Sequence, residues 1–140
     1  MSEPTAYHDV SPQQGARYFG TPDTGMVVML NLLKFRERAD YAQAPKLEPA
    51  GGVSGREAYA IYMREMEPLL NASGGEVLYS GSADHFLIGP AEEGWDHVLL
   101  VRQASKAAFL AFASDPQAQA ITAHRTAAVA DSRLLPTSPD

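Results

Sequence analysis

The chain contains no cysteine. That removes disulfide frameworks, thiolate nucleophiles, zinc–thiolate sites and iron–sulfur ligation together. Positive charge is also scarce. Eleven lysines and arginines stand against 17 aspartates and glutamates, for a net charge of −6. Nucleic-acid binding needs a basic face, and this chain offers only scattered cations. No apolar run approaches the roughly 18–20 residues of a membrane helix. The first residues (MSEPTAYHDV) show neither a basic start nor an apolar core segment, so no signal peptide is expected and a cytoplasmic protein is. No two of the 4 histidines are spaced i, i+2 or i, i+4, and no HExxH occurs, so no local metal site is expected. Gly51 to Arg56 (GGVSGR) lacks the Gly-Lys-Ser/Thr ending of a phosphate loop and has no strand before it. No cofactor and no metal are expected.

What the chain does have is a strong pattern of strands. Its 140 residues are 45% apolar, which suits a single domain with its own core. Met26 to Phe35 (MVVMLNLLKF) is apolar at both sets of alternating positions, and so is Val98 to Val101. A strand that is apolar on both sides needs cover on both sides. Helices cover one face of such a sheet, and a second copy of the chain is the economical cover for the other.

Along the chain, residues 1–10 read as a flexible arm. Ser11-Pro12 then starts a short helix over residues 11–20 that Gly20 closes. Strand one follows over Met26 to Phe35. Residues 36–53 form a connection of unusual length with no period, to be read either as a disordered excursion or as an ordered flap or binding loop. Ser54 and Glu57 form a capping box. The helix they open carries Tyr59, Tyr62, Met63, Met66, Leu69 and Leu70 on one face. Pro68 should kink or loosen its end, and Gly74-Gly75 stops it. Glu76 to Ser80 and His85 to Ile88 read as strands, either one bent strand or a hairpin. Trp95 to Gln103 is the next strand. Ser105 caps a helix that breaks at Asp115-Pro116 and restarts over Gln117 to Ala128. Val129 to Leu135 is the last strand, and residues 136–140 form a tail. The order β-α-β-β-α-β, with two right-handed crossovers, places both helices on one face of an antiparallel sheet. That is an α+β, ferredoxin-like plan in one domain.

Several strings bear a family likeness. They are Asn31 to Phe35 (NLLKF), Ala39 to Tyr41 (ADY), Ser54 to Tyr59 (SGREAY), Leu87 to Pro90 (LIGP), Trp95-Asp96, Ala107 to Leu110 (AAFL), Ser114 to Pro116 (SDP), His124 to Ala128 (HRTAA) and Asp131 to Leu134 (DSRL). Spanning Ser11 to Pro136, they resemble the family called domain of unknown function 1330. The resemblance implies a dimeric α/β barrel, in which two ferredoxin-like sheets close on each other across a homodimer. Members of that wider group hold small apolar or phenolic molecules between sheet and helices, and include isomerases, cofactor-free monooxygenases and haem-degrading monooxygenases. The haem-degrading members resemble this chain in a first-strand asparagine and a helix histidine. They also need a tryptophan on the third strand, where this chain has Arg102 and Gln103, with Trp95 at the strand's beginning.

Asn31 is the first candidate residue, because an amide in an apolar strand must find partners or carry a cost of about 1–3 kcal/mol. It is either a structural amide or a polar anchor in a pocket. Lys34, three residues on, faces the opposite side and either binds a ligand or snorkels. His124 is a candidate proton carrier on the last helix, with Arg125 beside it as a ligand contact. The plainer reading makes both a cationic helix end. Tyr59 and Tyr62 are candidate ligand contacts or core aromatics with tethered hydroxyls. Tyr41 is a further ligand-binding candidate. Arg102 and Arg133 are strand arginines suited to a carboxylate or to an ion pair. The leading functional expectation is a cofactor-independent small-molecule enzyme in which Asn31 polarises a carbonyl or phenolate and His124 moves a proton. The alternatives are a non-catalytic binding or structural dimer and a haem-binding protein.

Overall fold

The computed structural model describes residues 5–140. Its elements are α1 (Pro12–Phe19), β1 (Val27–Phe35), α2 (Gly55–Ala72), β2 (Glu76–Ser82), β3 (His97–Gln103), α3 (Lys106–Ser114), α4 (Pro116–Ala128) and β4 (Val129–Thr137). The four strands form one antiparallel sheet in the order β2-β3-β1-β4. This is the expected α+β, ferredoxin-like arrangement.

Local sequence fixes most element ends. The Ser54 hydroxyl accepts from the Glu57 amide at 3.0 Å, and the Glu57 carboxylate accepts from the Ser54 amide at 3.1 Å. Two of the four orphan N–H groups at the start of α2 gain partners nearby by this reciprocal device. Asp115 caps α4 through the amides of Gln117 (2.8 Å) and Ala118 (3.2 Å), with Pro116 at the first helical position. Pro68 lies on the exposed side of α2, and the helix continues past it to Ala72.

Alternation along β1 divides the sheet faces. Val27, Met29 and Leu33 are buried under the helices together with Leu99 of β3 and Val129 of β4. Val28, Leu30 and Leu32 point the other way, beside Val98 and Leu100 of β3 and Leu135 of β4, and are only partly covered or exposed. One face is therefore a core and the other an open apolar surface.

The long connection over 36–53 is ordered, with one 3-10 turn at Pro45–Leu47. The last carbonyls of α4 have no partners inside the helix. Arg36 N–H donates to Ala128 C=O at 2.8 Å, and Asp40 N–H donates to Ala127 C=O at 2.9 Å. The connection thus caps α4 and carries Tyr41 into the core, 4% exposed.

Three expectations need correction. His85 to Ile88 is not a strand. The β2–β3 ladder ends at Ser82 opposite His97, the Ala83 amide closes onto Asp96 C=O, and Leu87 and Ile88 stand 99% and 93% exposed in a loop. The tail starts later than Pro136, because Pro136 and Thr137 still pair with Met29 and Val28. Residues 1–4 of the expected flexible arm lie outside the described residues. Tyr7 is docked, its amide on the Asp131 carboxylate (2.8 Å) and its carbonyl on the Ser132 hydroxyl (2.6 Å). No helix among the described residues is long and apolar enough to cross a membrane.

Candidate functional site

Between the covered face of the sheet and the helices lies a cavity of about 910 Å³. Its floor comes from alternate residues of β1 and β3, Met29, Asn31, Leu99 and Val101 among them. Its walls come from α2, α3, α4 and α1, and the arm at Tyr7 to Val10 lies along its rim. Five of the candidate residues line it: Asn31, Tyr59, Tyr62, Arg125 and Arg133.

Asn31 settles its amide within the sheet. Its Nδ2 donates to the carbonyls of Met29 and Leu99, each at 3.3 Å. Both amide protons are thereby engaged, and the Oδ1 acceptor takes no hydrogen bond among the described residues. Tyr59 and Tyr62, one helical turn apart on α2, pack against each other with ring centroids 5.3 Å apart and planes tilted by 41°. Neither hydroxyl has a protein partner among the described residues. Burial raises the Tyr59 phenol well above its ordinary value, and Tyr62 adds to that while the Arg125 guanidinium partly offsets it. Tyr62 is raised by burial and offset by Arg125 in the same way. Both hydroxyls therefore stay protonated and serve as donors. The cavity thus offers donors from the tyrosines and Arg125 and an acceptor from Asn31.

The raised tyrosine values have a consequence for stability. The folded state keeps Tyr59 protonated at a pH where the unfolded chain releases that proton, so stability falls as pH rises through and above 10, the unperturbed value. Urea midpoints measured across that range should decline for the wild type and decline less steeply for Tyr59→Phe, which has no proton to lose. Equal slopes would mean that Tyr59 is not held neutral by its site.

The cavity also contains groups with no signal in the sequence. His8 reaches it from the arm, with its Nε2 buried and unpartnered. Gln103, 2% exposed, carries an unpartnered Oε1 on the cavity wall. Unpaired buried acceptors are uncommon, and one facing a cavity is placed to bind water or a ligand. An irregular arm has no period to predict where His8 would go, and Gln103 reads as an ordinary strand terminus.

The other candidates lie elsewhere. The expected convergence of Asn31 and His124 on one space does not occur. His124 and Arg125 are neighbours on α4, so about 100° of helix separates them, and only Arg125 faces the cavity. His124 is buried at 6% exposure on a different side of α4. Its Nδ1 lies 2.7 Å from the Tyr41 hydroxyl and its Nε2 3.4 Å from a Glu65 carboxylate oxygen. A proton on Nε2 lets Tyr41 donate to Nδ1 and Glu65 accept from Nε2. This trio joins the long connection, α4 and α2. Lys34 is exposed on the open face, in register with Asp131. Arg102, also on that face, makes an ion pair with Glu76 at 3.2 Å. Arg133 does line the cavity, but it is held by Asp131 at 2.7 Å and lies over the rings of Tyr7 and Trp95. Trp95 is buried just ahead of β3 and donates to Glu93 at 2.9 Å. Among the described residues, no group of three or more histidine, aspartate or glutamate side chains could hold a metal.

No protein-family model and no curated protein matches the chain. Solved structures do. A dimeric ferredoxin-like protein of unknown function from Thermobifida fusca superposes with a TM-score of 0.51 at 12% identity, over 82% of this chain and 92% of that one, a likeness of fold alone. The methylated RPA0582 protein matches at 37% identity and a TM-score of 0.84, over 98% of this chain and 97% of that one. The RPA0582 protein from Rhodopseudomonas palustris, of unknown function, gives 36% identity and the same TM-score of 0.84, over 97% of this chain and 98% of that one. Identity at that level along nearly the whole of both chains makes this protein a member of the RPA0582 family.

Proposed function

We propose that the protein is a cytoplasmic homodimer that takes a small apolar or phenolic molecule between its sheet and its helices, as a cofactor-independent enzyme of isomerase or monooxygenase type. One observation carries the reading. Tyrosine donors without protein partners converge in a cavity of about 910 Å³ whose remaining lining is largely apolar. That volume lies in the range of about 300–1,000 Å³ usual for ligand sites. A purely structural module would instead pair its polar groups and close the space.

In this reading Tyr59, Tyr62 and Arg125 stabilise negative charge that develops on a carbonyl or phenolic oxygen. Asn31 Oδ1 and Gln103 Oε1 orient the ligand by accepting from its hydroxyls. His8, with its free Nε2 in the cavity, takes the place expected of His124 as proton acceptor. The resemblance to the domain of unknown function 1330 family supports the dimeric α/β barrel. So does the open apolar face of Val28, Leu30, Leu32, Val98 and Leu100, which a second copy would bury.

Titration with 1-naphthol, followed by its fluorescence, tests the ligand site. Saturable binding is expected for the wild type. Val101→Trp, which projects an indole into the cavity from its floor, should abolish binding while leaving circular dichroism unchanged. Absence of wild-type binding, or equal binding by the filled variant, would remove the basis for a ligand site there.

A further inference from the structure

We infer that the ligand is an acid, and that Arg125 with the Tyr59 and Tyr62 hydroxyls holds its carboxylate while an apolar ring fills the rest of the cavity. The inference rests on the ligand-site reading and narrows it to a chemical class, a ring-bearing monocarboxylate.

The charge inventory of the cavity leads to it. Asp9, Arg17 and Glu67 stand at its margins and are exposed to water. Arg133 is neutralised by Asp131 at 2.7 Å. Arg125 is different. Its guanidinium is partly buried, and its two protein partners are neutral oxygens, the His8 carbonyl at 2.8 Å from Nη1 and the Ser132 hydroxyl at 3.3 Å from Nη2. No carboxylate lies within ion-pair distance of it among the described residues. A guanidinium has five N–H donors in a fixed fork, so two neutral partners leave both charge and donors to spare.

The charge is also aimed. Arg125 acts on both tyrosine hydroxyls, opposing the effect of burial on each. Those hydroxyls remain unpartnered donors, so the cavity they line together with Arg125 holds three groups able to donate to an anion. A carboxylate beside them gains charge-assisted hydrogen bonds, which are roughly twice as strong as neutral ones. The rest of the lining suits a ring, with Met29, Leu99 and Val101 on the floor and Met63, Met66 and Phe109 from the helices. The protein as a whole is negative, at −6. Any preference for an anion must therefore overcome the global field and come from this cation.

Isothermal titration with 1-naphthoate and its neutral isostere 1-naphthamide tests the inference, with 1-naphthol as a charge-independent probe. Wild-type protein should bind naphthoate about 10-fold or more tightly than naphthamide. Arg125→Gln should bring the two affinities together by weakening naphthoate alone, and Arg125→Lys should restore part of the difference. Arg125 also ties the arm to β4, so Tyr62→Phe serves as a second variant that leaves those bonds intact. It should reduce the naphthoate preference without changing naphthamide binding. Equal affinities in the wild type, or a preference that survives both Arg125→Gln and Tyr62→Phe, would overturn the inference. Binding of 1-naphthol without any preference for the acid overturns this inference alone. Failure of all three probes overturns the ligand site as well.

Discussion

Leu30→Asp is expected to sediment as a folded monomer, and the wild type as the proposed dimer. Leu30 sits at the centre of the open face, opposite Leu100 on β3 and Leu135 on β4. Val28, Leu32 and Val98 surround it, and Leu135 is 58% exposed in the protomer. If two such faces pack together, each copy buries its central leucine, at about 25 cal/mol for every Å² removed from water. A carboxylate at that position is hydrated in the free protomer and stripped of water, without a partner, in the dimer. Leaving a buried charge uncompensated costs about 3–5 kcal/mol, enough to raise a dimer Kd by about a hundredfold to a few thousandfold. Folding should survive, because the substituted position is only partly covered in the single chain. Sedimentation of both proteins at matched concentration decides the matter. A wild type that sediments as a monomer, or a variant that remains a dimer, would place the subunit contact elsewhere or remove it.

That the sheet has two apolar faces was legible because alternation along β1 is a local property of ten consecutive residues. The capping box at Ser54 and Glu57 and the restart at Asp115-Pro116 were legible for the same reason: each depends on side chains and amides within one turn. Where the reading missed, the deciding contact was distant in sequence. His85 to Ile88 has a strand's composition, but the ladder on β3 ends at His97 and leaves it nothing to pair with. The connection over 36–53 has no period of its own, and its order comes from α4, whose last two carbonyls it satisfies.

The candidate site divides in the same way. Tyr59 and Tyr62 could be placed on the sheet-facing side of their helix from spacing alone, whereas Asn31 could only be set on the face opposite Lys34, because β1 is apolar on both faces. Arg125 and His124 could not be separated without the rotation of α4, which turns one toward the cavity and the other toward Tyr41 and Glu65. His8 lay beyond any pattern. Its position is set by bonds from Asp131, Ser132 and Arg125, residues more than a hundred positions away, to the backbone of Tyr7 and of His8 itself.

Gly55→Ala is expected to lower stability by about 3 kcal/mol or more, against the local trend. Alanine is the better helix former by about 1 kcal/mol, and Gly55 opens α2 without a left-handed backbone, so helix propensity alone predicts stabilisation. The surroundings reverse the sign. A Cβ at this position would lie 2.2 Å from the Arg36 carbonyl oxygen, 2.6 Å from the Ala128 carbonyl oxygen and 2.8 Å from the Arg36 nitrogen. All three are backbone atoms, so no rotamer change relieves the contact. They also belong to one junction, in which Gly55 N–H donates to Arg36 C=O at 3.0 Å and Arg36 N–H donates to Ala128 C=O at 2.8 Å. Room for a methyl group comes only by parting the start of α2 from the end of α4 and the exit of β1, which breaks those bonds together. For a domain of this size the loss corresponds to a fall in Tm of about 10 °C. Gly94→Ala is the matched control, since its Cβ would meet nothing within 4 Å. Its Tm should stay near the wild-type value. If Gly55→Ala melts no lower than Gly94→Ala, the two helices do not approach as closely as this junction requires. The packing that seats Tyr41 against His124 would then have to be looser as well, because the same connection carries both.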